Sequence, residues 1–266
     1  MISHSTLKKL TSPLIVFSIF VFLYLPIIVL IVYSFNSRSF PAPWKTFTFE
    51  WYIALFAHGT LWISFFNSFI VAFASTFLCF FMSMCMLFFL FIGGKIEKQL
   101  SLFYLNLVIP EAVLAVGLLA YFSLLHIPLG IVTVIFSHVV IGLGFIVPAL
   151  YARFVQIDPR LTEASYVLGA SSLQTFNKVI FPLLKPVLLS TSLMIFMISF
   201  DDFILSYFCA GTSFQTLSLF LANSLRNGIS PVVNALATIL IIATGCVTSF
   251  IFISSRKHKT RVFAHD

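Results

Sequence analysis

The chain has 266 residues, 60% of them hydrophobic and 9% charged, with a formal net charge of +7. Soluble domains carry roughly 25% charged residues, and a soluble fold would have nowhere to put this much apolar surface. The excess of positive charge does not point to nucleic acid, because the Lys and Arg residues lie in short connections between apolar runs and build no basic face with interleaved aromatics.

A helix needs about 20 mostly apolar residues to cross a bilayer. Six stretches meet that need, so the sequence predicts an all-α polytopic membrane protein with six transmembrane helices. The first covers about 13–35. Lys8 and Lys9 precede it as in a signal peptide. It is longer than the roughly 7–15 residues of a signal core, and no small-residue cleavage site follows, so it is expected to stay as an uncleaved span. The second lies within 61–92, with Trp62 at the interface. The third covers about 100–125 and contains Ile109-Pro110-Glu111. The fourth, about 127–151, follows a short turn holding His126 and Pro128. The fifth covers about 183–208 and the sixth about 232–254, where Ser230 and Pro231 read as N-cap and first helical residue.

Charge fixes the orientation. Of the 15 Lys and Arg residues, only Arg38, Lys45 and Arg226 fall in the connections on one side, and the other twelve fall on the opposite side. The positive-inside rule therefore places both termini in the cytoplasm, as an even number of spans requires. Two external segments, about 36–60 and 211–231, are long enough to fold locally, and Arg226-Asn227-Gly228 reads as a turn. Cys79, Cys85, Cys209 and Cys246 form no metal-ligand spacing and read as small apolar filler. His138 reads as a core histidine with a helix partner, and Asn67, Ser68 and Asn234 as interhelical glue. No nucleophile–base or metal cluster suggests an enzyme.

The longest cytoplasmic connection, 152–182, has ordered character. Asp158-Pro159 reads as an N-cap with Pro at the first helical position. Leu161, Ser165 and Leu168 then share one narrow face, and Gly169 is a plausible C-terminal stop. Ser171 with Gln174 resembles a capping box opening a second helix, and Pro182 marks the turn into span five. An exposed apolar stripe on so short a helix calls for something to cover it.

Glu163-Ala164-Ser165, Gly169 and Val179-Ile180-Phe181-Pro182 together resemble the EAA signature of ABC importer permeases. Ser165 departs from the second Ala of that signature, and Phe181 from the usual Leu before Pro. The resemblance implies a single permease domain of MetI-like fold, in which Glu163, Ala164, Ser165, Gly169 and Pro182 belong to the loop that enters a cleft on a separate ATPase. Ser199-Phe200-Asp201-Asp202, Ile109-Pro110-Glu111 and the run from Ser230 to Thr238 are similar to the polyamine branch, the PotC-type permeases of spermidine/putrescine importers. That likeness implies a homologous second permease (PotB-like), two copies of an ATPase subunit (PotA-like) that bind the ATP, an extracytoplasmic binding protein (PotD-like) and a bacterial inner membrane. It implies no cofactor on this chain.

Glu111, Asp201 and Asp202 fall inside predicted spans. A carboxylate at mid-membrane costs about 2.5–3.5 kcal/mol on insertion scales and so faces a cavity or a partner. Asp202 lies 100° round from Asp201, so the two cannot face the same way. A linear polyamine needs spaced carboxylates and aromatic walls, for which Tyr207, Phe208 and Tyr121 are candidates. The alternative for each acid is structural: Glu111 caps a broken helix, or either aspartate pairs with a basic or polar group on the partner permease. Two other functions stay open, import of a different cationic or small solute by the same family, and ion-driven secondary transport without an ATPase.

Overall fold

Within a bilayer every backbone polar group must find its partner inside the protein, and a helix does this locally. The apolar runs accordingly become helices in the computed structural model, which describes residues 4–38, 42–226 and 230–262. In chain order these are α1 (His4–Tyr33), α2 (Glu50–Ala57), α3 (Gly59–Phe91), α4 (Glu97–Val108), α5 (Glu111–Leu124), α6 (Ile131–Phe154), α7 (Pro159–Val167), α8 (Ser172–Thr175), α9 (Phe181–Asp201), α10 (Ile204–Cys209), α11 (Leu217–Arg226) and α12 (Pro231–Val262). Among the described residues, four helices are long and apolar enough to cross a membrane, and the bent pair α4–α5 makes up to five. The apolar part of α12, Pro231–Cys246, is shorter, so an expectation of six spans is compatible with the structure.

The chain divides into two units, one made of residues up to Gly59 and from Leu221 onward, the other of Thr60–Phe220. In the first, α12 packs against α1 and α2. The segment between α1 and α2 folds locally, as expected from its length. Asn36 and Phe47 form an antiparallel bridge. The Trp51 indole donates to the Asn36 carbonyl at 2.7 Å, and the Ser34 and Tyr52 hydroxyls meet at 2.7 Å. Phe35 stacks on Phe47 and meets Phe49 edge-on. Asn227 and Gly228 of the expected external turn lie outside the described residues, as does Pro41.

The second unit is organised around α6, and two glycines make this possible. A Cβ at Gly142 would stand 2.6 Å from the Cys79 sulfur on α3 and 3.0 Å from Ile195 on α9. A Cβ at Gly144 would stand 2.7 Å from Asn106 on α4. Three helices therefore approach α6 more closely than any side chain there would permit. Asn106 uses that closeness to donate to the Val140 carbonyl at 2.9 Å.

Two apolar cores result. One gathers Cys79, Leu87, Ile146, Leu150, Leu184, Leu188 and Ile195, and the other Val71, Phe122, Val134, Cys209, Ala210 and Leu219. Between them along α3, α6 and α9 lies a layer of buried polar residues: Ser75, His138, Ser199 and Asp202.

Helix bounds differ from the sequence expectation in three places. The third apolar run is not one straight span: α4 and α5 meet at a bend of 115°. Pro110 has no N–H to give, and its ring drives Ile109 to an extended ψ of 129°. The fifth run also breaks, at Asp202, where ψ is 128°. Pro182, by contrast, ends nothing. The helix runs on from Ser172 to Asp201, through a π-helical turn at Phe176–Ile180 that passes straight into α9. Proline at the first positions of α9 leaves the π turn to absorb the missing donor.

Overpacking the α6 contact tests this arrangement. Gly142→Val should lower the thermal midpoint of the detergent-solubilised protein, at a cost of about 1–3 kcal/mol. Gly117→Ala on α5, where nothing lies within 4 Å, should leave the midpoint unchanged or higher. Equal melting of the two variants would refute the close approach.

Candidate functional site: a helical elbow and an acidic helix break

The loop after α6 is held by local chemistry. The Asp158 carboxylate accepts from the Arg160 N–H at 2.9 Å, with Pro159 at the first helical position. At the other end of α7, Gly169 has φ +81°, a conformation that costs an L-residue roughly 1–2 kcal/mol. Its N–H bonds the Tyr166 carbonyl at 2.9 Å, and the Ala170 N–H bonds the Ser165 carbonyl at 3.1 Å. These paired bonds are the Schellman closure of a helix. Ser171 and Gln174 then form a reciprocal capping box that opens α8.

Ser165, the residue that replaces the second Ala of the EAA pattern, has a partner of its own. Its hydroxyl bonds that of Thr175, which is fully buried, at 2.8 Å, tying α7 to α8 across the elbow. The elbow leaves Val167 and Leu168 87% and 88% exposed. These two adjacent aliphatic side chains form a small exposed apolar tip. Of the apolar face expected on α7, Leu161 is also exposed, whereas Ser165 turns inward to α8. Glu163 and Ala164 lie on α7 one turn before the tip, and both are exposed.

The second constellation is an acidic helix break. At the α9–α10 break, α10 begins with N–H groups that no preceding turn can satisfy. The Asp202 carboxylate takes two of them, from Leu205 at 3.3 Å and Ser206 at 2.8 Å. The Asp202 carbonyl receives the Ser218 hydroxyl. Buried anions need a charged or strongly donating partner, and His138 supplies it. Its Nε2 lies 2.9 Å from Asp202 Oδ2, with both side chains 2% exposed. The other ring nitrogen lies 3.0 Å from the Ser199 hydroxyl, which in turn lies 3.0 Å from the Ser75 hydroxyl. One hydrogen-bonded chain thus links α3, α9, α6 and the break.

Asp201 takes the opposite course. It is exposed and lines an open cleft of about 680 Å³ together with Glu111, Met197, Phe200 and Phe203. Glu111, the first residue of α5, sits at a helix N-terminus, where a carboxylate is favoured by about 0.3–1 kcal/mol. It also lies beside Asp202. The α4–α5 bend and the α9–α10 break are therefore neighbours, and their three acids, Glu111, Asp201 and Asp202, border one cleft.

The candidate aromatic walls sort differently from the sequence reading. Phe200 and Phe203 line the cleft. Tyr207 stacks obliquely on Phe203 at 5.6 Å and meets Phe208 edge-on at 5.4 Å. Tyr121 is exposed beside Phe122. His138 does have a partner, but it is an acid 64 positions away and not its own helix. Asn67 and Ser68 act as interhelical glue, donating to the Gln215 carbonyl at 2.9 Å and accepting from the Leu217 N–H at 2.8 Å.

No protein-family model matches the chain. The chain is 37% identical over 229 residues to the spermidine/putrescine transport system permease protein PotC of Escherichia coli strain K12, covering 85% of this chain and 86% of that protein. The PotC protein of Haemophilus influenzae is 34% identical, over 85% of this chain and 89% of its own length. The putrescine transport system permease protein PotI of E. coli strain K12 is 27% identical, over 91% and 90%. Among solved structures, a bacterial ABC transporter involved in import of the acidic polysaccharide alginate superposes with a TM-score of 0.66 over 95% of both chains, at 18% identity, a likeness of fold.

The elbow can be probed on its own. Thr175→Val removes the bond to Ser165 while keeping the shape of the side chain, and should speed hydrogen exchange of the 165–175 amides several-fold, a loss of about 1 kcal/mol. Unchanged exchange would show that the hydroxyl pair does not hold the elbow.

Proposed function

This chain belongs to the PotC family of transport-system permeases, and on that premise we propose that it is the membrane half-channel of an ATP-driven polyamine importer. The observation that carries the substrate assignment is the pairing of Glu111 and Asp201 on one aromatic-walled cleft at two adjacent helix breaks. A linear polyamine offers ammonium groups to such acids and methylenes to Phe200 and Phe203, with cation–π contacts of about 0.5–2 kcal/mol. An anionic cargo would find the wrong sign of charge there.

The elbow supplies the drive. Val167 and Leu168 present an apolar tip that suits a cleft on an ATPase subunit, with Glu163 and Ala164 beside it and Gly169 setting the exit angle. ATP binding and hydrolysis belong to that partner. A second homologous permease, two ATPase copies and an external binding protein complete the assembly, in a bacterial inner membrane with both termini in the cytoplasm. Asp202 is spent on the break and on His138, so it shapes the path, and Asp201 and Glu111 meet the cargo.

The complete transporter in proteoliposomes tests this reading. Asp201→Asn should cut spermidine uptake about tenfold or more while the subunits still co-purify. Glu163→Lys should instead loosen the ATPase and abolish uptake. Full uptake by Asp201→Asn removes the substrate assignment, and full uptake with tight docking in Glu163→Lys removes the coupling assignment. Uptake that persists with a hydrolysis-dead ATPase would favour ion-driven transport.

A further inference from the structure

Asp201 and Asp202 are consecutive and chemically identical, yet Asp201 is exposed in the cleft, whereas Asp202 borders the same cleft with its side chain buried. Nothing in the local sequence makes that choice. A helix continued through both would place them 100° apart on one regular surface, with no reason for the chain to stop. The choice is made from α6. His138 reaches Asp202 at 2.9 Å, and its own tilt is fixed by Ser199 on α9 at 3.0 Å and, through it, by Ser75 on α3 at 3.0 Å. The ring is thus bolted to two inner helices before it touches the aspartate. Asp202 then carries that position into α10 through its two bonds to the Leu205 and Ser206 N–H groups.

We propose that His138 is a positioning residue for the translocation path: by gripping Asp202 it holds the α9–α10 break in place and keeps Asp201 turned into the cleft. The statement that Asp201 meets a cationic cargo rests on the function proposed above, but the placement of residue 201 does not. His138 acts at a distance, through Asp202, and touches no cargo. The position of the ring depends on α6, which Gly142 lets sit against α3 and α9, and on the Ser199 and Ser75 hydroxyls of those two helices.

The experiment uses the whole transporter and has two independent arms. In the first, the four native cysteines are replaced by Ala, Asp201→Cys is introduced, and labelling by a water-soluble maleimide is timed. Residue 201 should label rapidly with His138 present, at nearly the same rate with His138→Gln, which keeps a donor for Asp202, and roughly tenfold slower or more with His138→Leu. Unchanged labelling in His138→Leu overturns the proposal. In the second arm Asp201 is native and spermidine uptake is followed. His138→Leu should raise KM about tenfold, with His138→Gln within about threefold of the parent.

Because His138→Leu leaves a buried carboxylate without its partner, the double variant His138→Leu/Asp202→Asn serves as control. Asn retains the acceptor that caps α10 and needs no counter-charge. If the double variant assembles and stays slow to label, positioning is upheld. If it labels and transports like the parent, His138 only neutralised a charge and the proposal fails. Rapid labelling that depends on His138, together with full uptake by Asp201→Asn, would uphold the positioning and remove only the cargo role of Asp201.

Discussion

A helix interrupted inside a bilayer exposes N–H and C=O groups that neither water nor lipid can satisfy, and each costs several kcal/mol if left alone. The break at Asp202 exists because one residue settles most of that debt. Its carboxylate takes two N–H groups of α10, its carbonyl takes the Ser218 hydroxyl, and its charge is met by His138. The close packing of α6 on α3 and α9, the polar layer between the two cores and the exposure of Asp201 all follow from keeping that set of partners together.

The same constraint is met differently at the other break. Pro110 brings no N–H to lose, so the α4–α5 bend has one donor fewer that needs an outside acceptor. Glu111 adds its charge to the free end of α5. Two solutions to one problem, a proline and an aspartate, stand side by side and leave three acids at one cleft. Gly142 and Gly144 allow this at the level of packing, since bulk at either would push α6 away from the helices that carry the breaks.

Much of the elbow was legible in the sequence because its signals are local. Asp158-Pro159, Gly169 and the Ser171–Gln174 box each act within four residues, and each takes up the role its type suggests. That Asp201 and Asp202 cannot face the same way also follows from helical geometry, though which of the two is buried does not. The partner of His138 was not legible, because 64 residues separate it from Asp202 and no spacing rule spans that gap. Nor was the break itself: the run from Leu183 to Phe208 is evenly apolar, and an Asp-Asp pair in it looks like a cost and not like a cap. Pro182 misled in the other direction, since a π turn accommodates it inside a continuous helix. Ser165 looked like a small departure from Ala, and only the position of Thr175 shows that its hydroxyl is used.

That continuous helix has a mechanical consequence. Ser172 and Asp201 are the ends of one 30-residue element, about 45 Å long at 1.5 Å per residue. Its first end is fastened to α7 by the Ser165–Thr175 bond, and its far end is where the chain breaks beside the acidic cleft. No loop lies between them to absorb motion. A push on the elbow would travel to Asp201 as the displacement of a connecting rod, whose regular hydrogen bonding is interrupted at the π turn of Phe176–Ile180 and at Pro186.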